Sequence, residues 1–155
     1  MEAGTSQVVE CEVRVDASPE TIFDFFTDPA KAVRWMGTKA TLDPRPGGVY
    51  RVEMGPHVTS GEYVEVDPPK RVSFTWGWEA QEASTPPGSS TVEIILTPEG
   101  DATIVRLVHR DLPTQESADS HRHGWEQLYL PRLALVAGGG DAGPDPNDTT
   151  EGAAA

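Results

Sequence analysis

The sequence predicts an α+β domain in which an antiparallel sheet of about six to seven strands packs against a long C-terminal α-helix. Three features of the sequence carry this prediction: a strand-like segment followed by two helix-start signals, a middle region of apolar strands separated by turn residues, and helical periodicity over 115–137. A sheet with one apolar face must be covered. In a chain of 155 residues the long helix is the element available to cover it.

The first strand and the two short helices follow from local signals. Residues 8–16 alternate between apolar and mainly charged side chains, which is the period of a half-buried strand. Ser18 precedes a proline and an acid, as an N-cap does, and Asp28 with its following proline repeats the signal. We therefore expect two short helices, the second ending near Met36. Cys11 lies on the apolar face of the strand and is expected to be a buried filler.

The middle of the chain has the texture of antiparallel hairpins. From Gly37 to Arg110, runs of alternating apolar residues are separated by short segments rich in Pro, Gly and Asp. One face of the predicted sheet is strongly aromatic, because Trp76 and Trp78 fall on the same side of one strand. The segment 79–90 contains Pro86-Pro87-Gly88, breaks the alternation and is predicted to be a long exposed loop.

Helical periodicity returns at 115–137. A helical wheel centred on Trp125 puts the following residues on the same side: His121, Leu128, Tyr129, Arg132 and Val136. His123 falls on the opposite side. Pro131 lies inside this helix and cannot donate to the carbonyl of Gln127, so we expect a kink there.

Composition sets the domain organisation. We predict a flexible N-terminus at 1–7, one folded domain at 8–137 and a disordered acidic tail at 138–155, rich in Gly, Pro and Ala. The net charge of −13 argues against nucleic acid and anionic membranes as partners, since both are bound through clustered Lys and Arg. No apolar run approaches ~18 residues, so no membrane insertion is predicted. With one cysteine and no signal peptide, we expect a cytoplasmic protein.

Motifs of catalysis, phosphate binding and metal binding are absent from the sequence, so no catalytic residue, metal or cofactor is assigned. His121 and His123 are two residues apart on a helix, which points them in different directions, and we read them as a solvated helix start. His109 lies on the apolar face of the strand at 103–109 and faces the long helix. It either lines a pocket or is a core histidine satisfied by a carbonyl or hydroxyl group.

A family resemblance rests on several motifs taken together. These are VRVDASPE at 13–20 with Ile22-Phe23, PGGxYR at 46–51, GEYxEVDPPKR at 61–71 with Phe74-Thr75-Trp76, Leu107-x-His109 and Gly124-Trp125-x-x-x-Tyr129. In combination they resemble bacterial activator-of-heat-shock-protein-90-ATPase homologue-like domains of the SRPBCC (START-like) superfamily. The resemblance covers nearly all of 8–137.

The resemblance implies a helix-grip fold, in which a curved antiparallel sheet wraps around the C-terminal helix and leaves a cavity between them. The expected ligand-binding residues are those that face this cavity: Phe26, Trp35, Tyr50, Val52, Met54, Trp76, Trp78, Leu107, His109, Trp125, Leu128, Tyr129 and Arg132. Aromatic lining with a few polar groups is the composition of a small-molecule pocket, and equally that of a filled core.

Three functional hypotheses follow from the fold and these residues. The first is a non-enzymatic monomer or weak dimer that binds a hydrophobic or aromatic small molecule, such as a lipid or a polyketide. The second is a cyclase or aromatase, with His109 as general acid or base and Tyr129 or Arg132 stabilising an oxyanion; Asp111 would orient His109 if the strand continues that far. The third is a stress-response module that binds a chaperone through the outer face of the sheet or through residues 79–90.

Overall fold

The computed structural model describes residues 7–80, 83 and 85–146. Its centre is one seven-stranded antiparallel sheet with the strand order β1-β7-β6-β5-β4-β3-β2. The strands are β1 (Gln7–Val15), β2 (Lys39–Leu42), β3 (Val49–Met54), β4 (His57–Asp67), β5 (Arg71–Trp76), β6 (Ser90–Glu99) and β7 (Ala102–Leu112). Every consecutive pair from β2 to β7 is a hairpin neighbour, and β1 closes the order by pairing with β7.

The two short helices begin where the sequence predicts. Helix α1 (Pro19–Phe23) is capped by Ser18, whose side chain accepts a hydrogen bond from the backbone N–H of Thr21. A single 3-10 turn (Asp24–Phe26) follows, and α2 (Pro29–Trp35) is capped by Asp28. Both caps satisfy N–H groups that a helix start leaves without an intrahelical partner. The prediction of two short helices after the first strand is confirmed.

The C-terminal helix runs without a break over 23 residues, as α3 (Gln115–His123), a π-helical segment (Gly124–Tyr129) and α4 (Leu130–Ala137). The backbone N–H of Leu130 bonds to the carbonyl of Trp125, five residues earlier. This wider turn immediately precedes Pro131, which has no N–H to donate. The sequence predicts a kink at Pro131, and the structure shows a π-helical segment directly before that proline; π-bulges and prolines are both recognised causes of helix irregularity.

The helix packs across the apolar face of the curved sheet, which confirms the predicted α+β architecture. Inward-facing residues of every strand from β3 to β7 are fully buried, and Cys11 on β1 is buried as expected. Burial raises the pKa of the Cys11 thiol to about 11, so the thiol stays protonated and unreactive at neutral pH. None of the helices in the described ranges has the length and apolar character of a membrane span.

The segment after the helix differs from the sequence prediction of disorder over its first nine residues, 138–146. The chain folds back along α4, and the N–H of Gly140 bonds to the carbonyl of Leu135 at 2.8 Å. Asp145 is buried, with 4% of its surface exposed. Its partners are far away in the sequence, where composition alone gives no sign of them. The rest of the predicted tail, and residues 1–6 of the predicted flexible N-terminus, lie outside the described residues.

We expect Gly61→Ala to destabilise the sheet. Gly61 lies inside β4, and a Cβ atom there would stand 2.1 Å from the backbone oxygen of Thr75 on β5, which cannot yield without moving the strand. The cost should be about 3 kcal/mol in the free energy of unfolding, measured by urea denaturation. Gly124→Ala is the control, because its Cβ would meet nothing within 4 Å. A Gly61→Ala protein as stable as the control would contradict this account of β4.

Candidate functional site

A pocket of about 260 Å³ opens between the sheet and the C-terminal helix. It lies where β3 and β5 end, against the first half of the helix. The residues lining it are Met54, Trp76, Trp78, Ser120, His121, His123, Gly124, Trp125, Leu128 and Tyr129. Within this lining, taken over the described part of the chain, there is no Lys, Arg, Asp or Glu side chain.

Three tryptophan rings form the greater part of the aromatic wall. The ring centroids of Trp76 and Trp125 are 5.1 Å apart, and those of Trp76 and Trp78 are 5.5 Å apart at an interplanar angle of 85°. The strand β5 ends at Trp76, so Trp78 is not part of the strand predicted to contain it; an isolated bridge to Thr59 holds it on the same side. The ring of Trp76 therefore contacts two other indoles, that of Trp125 on the helix and that of Trp78 after the strand.

His109 joins the helix to the sheet through a chain of hydrogen bonds. The indole N–H of Trp125 donates to His109 Nδ1 at 3.1 Å, and His109 Nε2 lies 2.9 Å from the hydroxyl of Ser90. The Ser90 hydroxyl in turn donates to the backbone carbonyl of Trp76 at 2.8 Å. Because Nδ1 accepts, the ring proton must be on Nε2, where it can be donated to Ser90. His109 is thus a fully satisfied core histidine, which is one of the two alternatives the sequence leaves open.

His121 makes the mirror arrangement at the pocket wall. Its Nδ1 lies 2.8 Å from the carbonyl of Ser117, which can only accept, and its Nε2 accepts from the indole N–H of Trp78 at 3.0 Å. The proton is therefore on Nδ1. His121 is half-buried, so the interpretation of a solvated helix start is wrong for this residue; His123 is exposed, but it ends α3 and lines the pocket. The helical wheel had placed His121 on the Trp125 side, and that placement is correct.

Both imidazoles are neutral. Burial lowers the pKa of His109 well below its ordinary value, and the nearby His121 lowers it further. Burial also lowers the pKa of His121, while its hydrogen bond to Ser117 acts weakly in the opposite direction. The two rings lie 4.8 Å apart, centroid to centroid. A proton added to either would have to displace a tryptophan N–H from the nitrogen that accepts it.

Two further predicted polar residues are occupied by internal contacts. The hydroxyl of Tyr129 lies 2.9 and 3.1 Å from the carboxylate oxygens of Asp145. Arg132 lies outside the pocket and donates to three backbone carbonyls, those of Trp35, Ala142 and Gly143, at 2.7 to 2.9 Å. Arg132 is therefore a structural clamp that joins the helix to α2 and to the segment after the helix.

Apart from Arg132, which lies outside the pocket, the predicted site residues divide into two groups. Those that line the pocket are Met54, Trp76, Trp78, Trp125, Leu128 and Tyr129, whereas Phe26, Trp35, Tyr50, Val52, Leu107 and His109 lie in the core behind it. Strand alternation cannot separate these groups, because core and pocket residues share one face of the sheet. The prediction omitted Ser120, His121, His123 and Gly124. For His121 the helical wheel held the signal; for Gly124, only the packing of the helix reveals the open space.

The segment 79–90 contributes a buried contact to the site, contrary to its prediction as an exposed loop. In its described part, Thr85 is buried: its carbonyl accepts from the N–H of Trp78 at 2.7 Å and its hydroxyl lies 2.9 Å from that of Ser117. These bonds hold Trp78 in place beside the helix. Residues 81, 82 and 84 lie outside the described residues.

The predicted orientation of His109 by Asp111 is not observed. Asp111 is exposed and has a φ of 68°, in a bulge where the pairing of β1 with β7 shifts register after His109. The bulge turns Leu112 inward at the position that strict alternation would give to Asp111. Both nitrogens of His109 are engaged by Trp125 and Ser90 instead.

This architecture defines the class of the protein: a curved antiparallel sheet that grips a long C-terminal helix, with an aromatic pocket between them, is the helix-grip fold. The family model described as Activator of Hsp90 ATPase homolog 1-like protein matches residues 16–138. The chain belongs to this family, which confirms the resemblance seen in the sequence motifs.

Solved structures support the same assignment. An AHSA1-like protein from Rhizobium etli is 44% identical, with a TM-score of 0.73, over 93% of this chain and 89% of that one. CalU16 from Micromonospora echinospora is 26% identical, with a TM-score of 0.71, over 90% and 81% of the two chains. An Hsp90 activator from Plasmodium falciparum is 23% identical, with a TM-score of 0.70 over 84% and 96%, and shows the shared fold alone. No curated protein sequence matches significantly.

We expect the two buried histidines to be neutral and to be opposite tautomers. Long-range proton–nitrogen NMR correlations should show the proton of His109 on Nε2 and that of His121 on Nδ1, because each accepts from a tryptophan at its other nitrogen. Both should stay neutral at about pH 6.5, where a free imidazole is half protonated. Protonation of His109 at that pH would refute the hydrogen-bond chain.

The same chemistry predicts how stability depends on pH. Unfolded histidines bind protons below about pH 6.5, whereas the lowered pKa values of His109 and His121 keep them neutral in the fold. In that range the unfolded state binds more protons, so these residues make the free energy of unfolding fall as the pH decreases from about 6.5. Urea denaturation at several pH values should show a shallower fall in His121→Gln than in wild type; an equal fall in the two proteins would contradict this account.

Proposed function

We propose that this protein binds an uncharged aromatic or other apolar small molecule, such as a polyketide or a lipid, in the pocket between the sheet and the helix. The observation that carries the proposal is the lining itself: three tryptophans, Tyr129, Leu128 and Met54 form most of it, Ser120, His121 and His123 are its polar members, and no Lys, Arg, Asp or Glu side chain is among the lining residues described. Concave sites lined by aromatic groups with few polar ones are typical of small-molecule binding.

The pocket size narrows the class of ligand. A cavity of about 150 Å³ accommodates one benzene ring, so a pocket of about 260 Å³ matches a compact two-ring compound. The net charge of −13 slows the approach of anions, which favours a neutral ligand. The indole N–H groups of Trp78 and Trp125 are already bonded to imidazoles, so these two tryptophans offer mainly their ring faces to a ligand.

We assign no catalytic role to this site. The cyclase or aromatase hypothesis needs a histidine that can exchange a proton with the substrate, yet both nitrogens of His109 are engaged and the side chain is fully buried. The proton of the Tyr129 hydroxyl is directed at Asp145, and the guanidinium of Arg132 is directed at carbonyls outside the pocket. Binding without turnover fits these contacts best. No cofactor is required for it.

A chaperone-linked role is the expectation that comes with the family name. No contact in the described part of the chain favours it over ligand binding, and a solved structure named as an Hsp90 activator shares the fold at 23% identity. We therefore place it second. We further infer a cytoplasmic monomer or weak dimer, in keeping with a single buried cysteine and an acidic surface.

The proposal is tested by following the four indole N–H signals during NMR titration with sterols, fatty acids, flavonoids and aromatic polyketides. A ligand in the pocket should shift Trp76, Trp78 and Trp125 in a saturable way. Trp35 is an internal control, because its indole donates to the carbonyl of Phe25 in the core and does not line the pocket.

Gly124→Leu is the matched variant. Gly124 lines the pocket and has open space around the position of a Cβ atom, so leucine should fill the pocket without straining the helix. It should weaken binding at least tenfold, whereas Gln127→Leu, on the exposed side of the helix, should leave it unchanged. No saturable shift with any of these ligands in the wild type would overturn the proposal. So would equal binding by the wild type and Gly124→Leu.

A further inference from the structure

The segment 138–146, called the strap below, places a buried carboxylate beside the pocket. Asp145 Oδ2 accepts a hydrogen bond from the backbone N–H of Gly37 at 2.5 Å, and both oxygens lie within 3.1 Å of the Tyr129 hydroxyl. Carboxylates are rarely buried, because removing one from water without partners is costly. The specific seat of Asp145 therefore indicates that the strap has one defined position on the domain.

Gly37 is shaped for this contact. Its φ of +89° is a left-handed conformation that favours glycine, and a Cβ atom would stand 2.4 Å from the side chain of Val52. The turn after α2 can thus direct its N–H at the strap while lying directly against β3. The seat for Asp145 is built from two elements that are distant in the sequence, this turn and the C-terminal helix.

A second contact fastens the strap independently of Asp145. The guanidinium of Arg132 donates from Nη1 to Ala142 at 2.9 Å and from Nη2 to Gly143 at 2.7 Å, while its Nε donates to the carbonyl of Trp35. Arginine presents several donors in a fixed planar arrangement, which suits the binding of several acceptors at once. The strap is therefore held at both its middle and its end.

The strap reaches the pocket through Tyr129. The ring of Tyr129 lines the pocket, while its hydroxyl is hydrogen-bonded to Asp145. The same hydroxyl lies 3.7 Å from the sulfur of Met54, another lining residue. The ring is thus a wall with the pocket on one side and the strap on the other.

We propose that the strap sets the length of ligand that the pocket admits, by holding Tyr129 as its end wall through Asp145. This inference rests on the proposed function and adds the determinant of specificity to it. With Asp145 seated, the pocket takes a compact ligand that matches its volume of about 260 Å³. When that hydrogen bond is absent, Tyr129 can turn aside and a longer ligand can pass between it and Met54.

The test compares two neutral dyes that share one naphthalene fluorophore, prodan with a short acyl chain and laurdan with a long one. Fluorescence titration of the full chain should show that the wild type binds prodan and binds laurdan at least tenfold more weakly. Asp145→Ala should bind laurdan at least tenfold more tightly than the wild type does, with its affinity for prodan changed less than threefold. Asp101→Ala, a change of the same charge in an exposed turn, is the control and should behave as the wild type.

A second variant guards against misfolding of the first. Asp145→Asn keeps the shape of the side chain but has one oxygen where the carboxylate has two, so it should give a smaller shift in the same direction. An unchanged ratio of laurdan to prodan affinity in both variants, with prodan still bound, would overturn the role of the strap and leave the proposed function intact. If neither dye binds to the wild type or to the variants, the role of the strap is contradicted, whereas the proposed function is decided by the indole titration described above.

Discussion

The hydrogen bond from Trp125 to His109 is the point at which the helix is fixed to the sheet, and the rest of the site depends on it. Through His109 and Ser90, this bond continues to the backbone of Trp76, so two of the three tryptophans in the pocket are fixed by one chain of donors and acceptors. Apolar packing alone would allow the helix to slide along an aromatic face. A directional bond inside the core defines one position, because a buried donor without its acceptor is costly.

The two histidines beside the pocket form hydrogen bonds that require no charge on either ring. His109 and His121 each accept from an indole and donate elsewhere, so every proton on the two rings has a partner while both rings stay neutral. The buried carboxylate of Asp145, bonded to Gly37 and Tyr129, lies beside the pocket but does not line it. On the outer face of the sheet, Glu93 pairs with Arg71 and with Arg110. The charged groups of the outer face are thus kept apart from the pocket, whose described lining contains no Lys, Arg, Asp or Glu side chain.

The strap is bound by the C-terminal helix although it belongs to neither the sheet nor the helix. Arg132 and Tyr129 lie three residues apart on the C-terminal helix, and each binds a different part of the strap. The guanidinium of Arg132 donates to backbone carbonyls, and the hydroxyl of Tyr129 is hydrogen-bonded to a carboxylate. The π-helical segment ends at Tyr129, where the wider turn and Pro131 set the direction of the last part of the helix. The family's helix-grip frame is thus joined here to a segment beyond it.

Local patterns in the sequence determined the fold. Alternation placed the strands, Ser18 and Asp28 placed the two short helices, and the wheel around Trp125 identified the side of the long helix that faces the sheet, because each of these signals depends on neighbours within a few residues. The sequence also identified His109 as a buried group.

Only the tertiary structure decided which aromatic residues line open space and which fill the core, since both kinds share the same inward face. The tertiary structure also decided that Asp145 is buried, because its partners Gly37 and Tyr129 lie far from it in the chain. Long-range hydrogen bonds leave no periodic trace in a sequence, and for that reason the segment after the helix looked like a solvated tail.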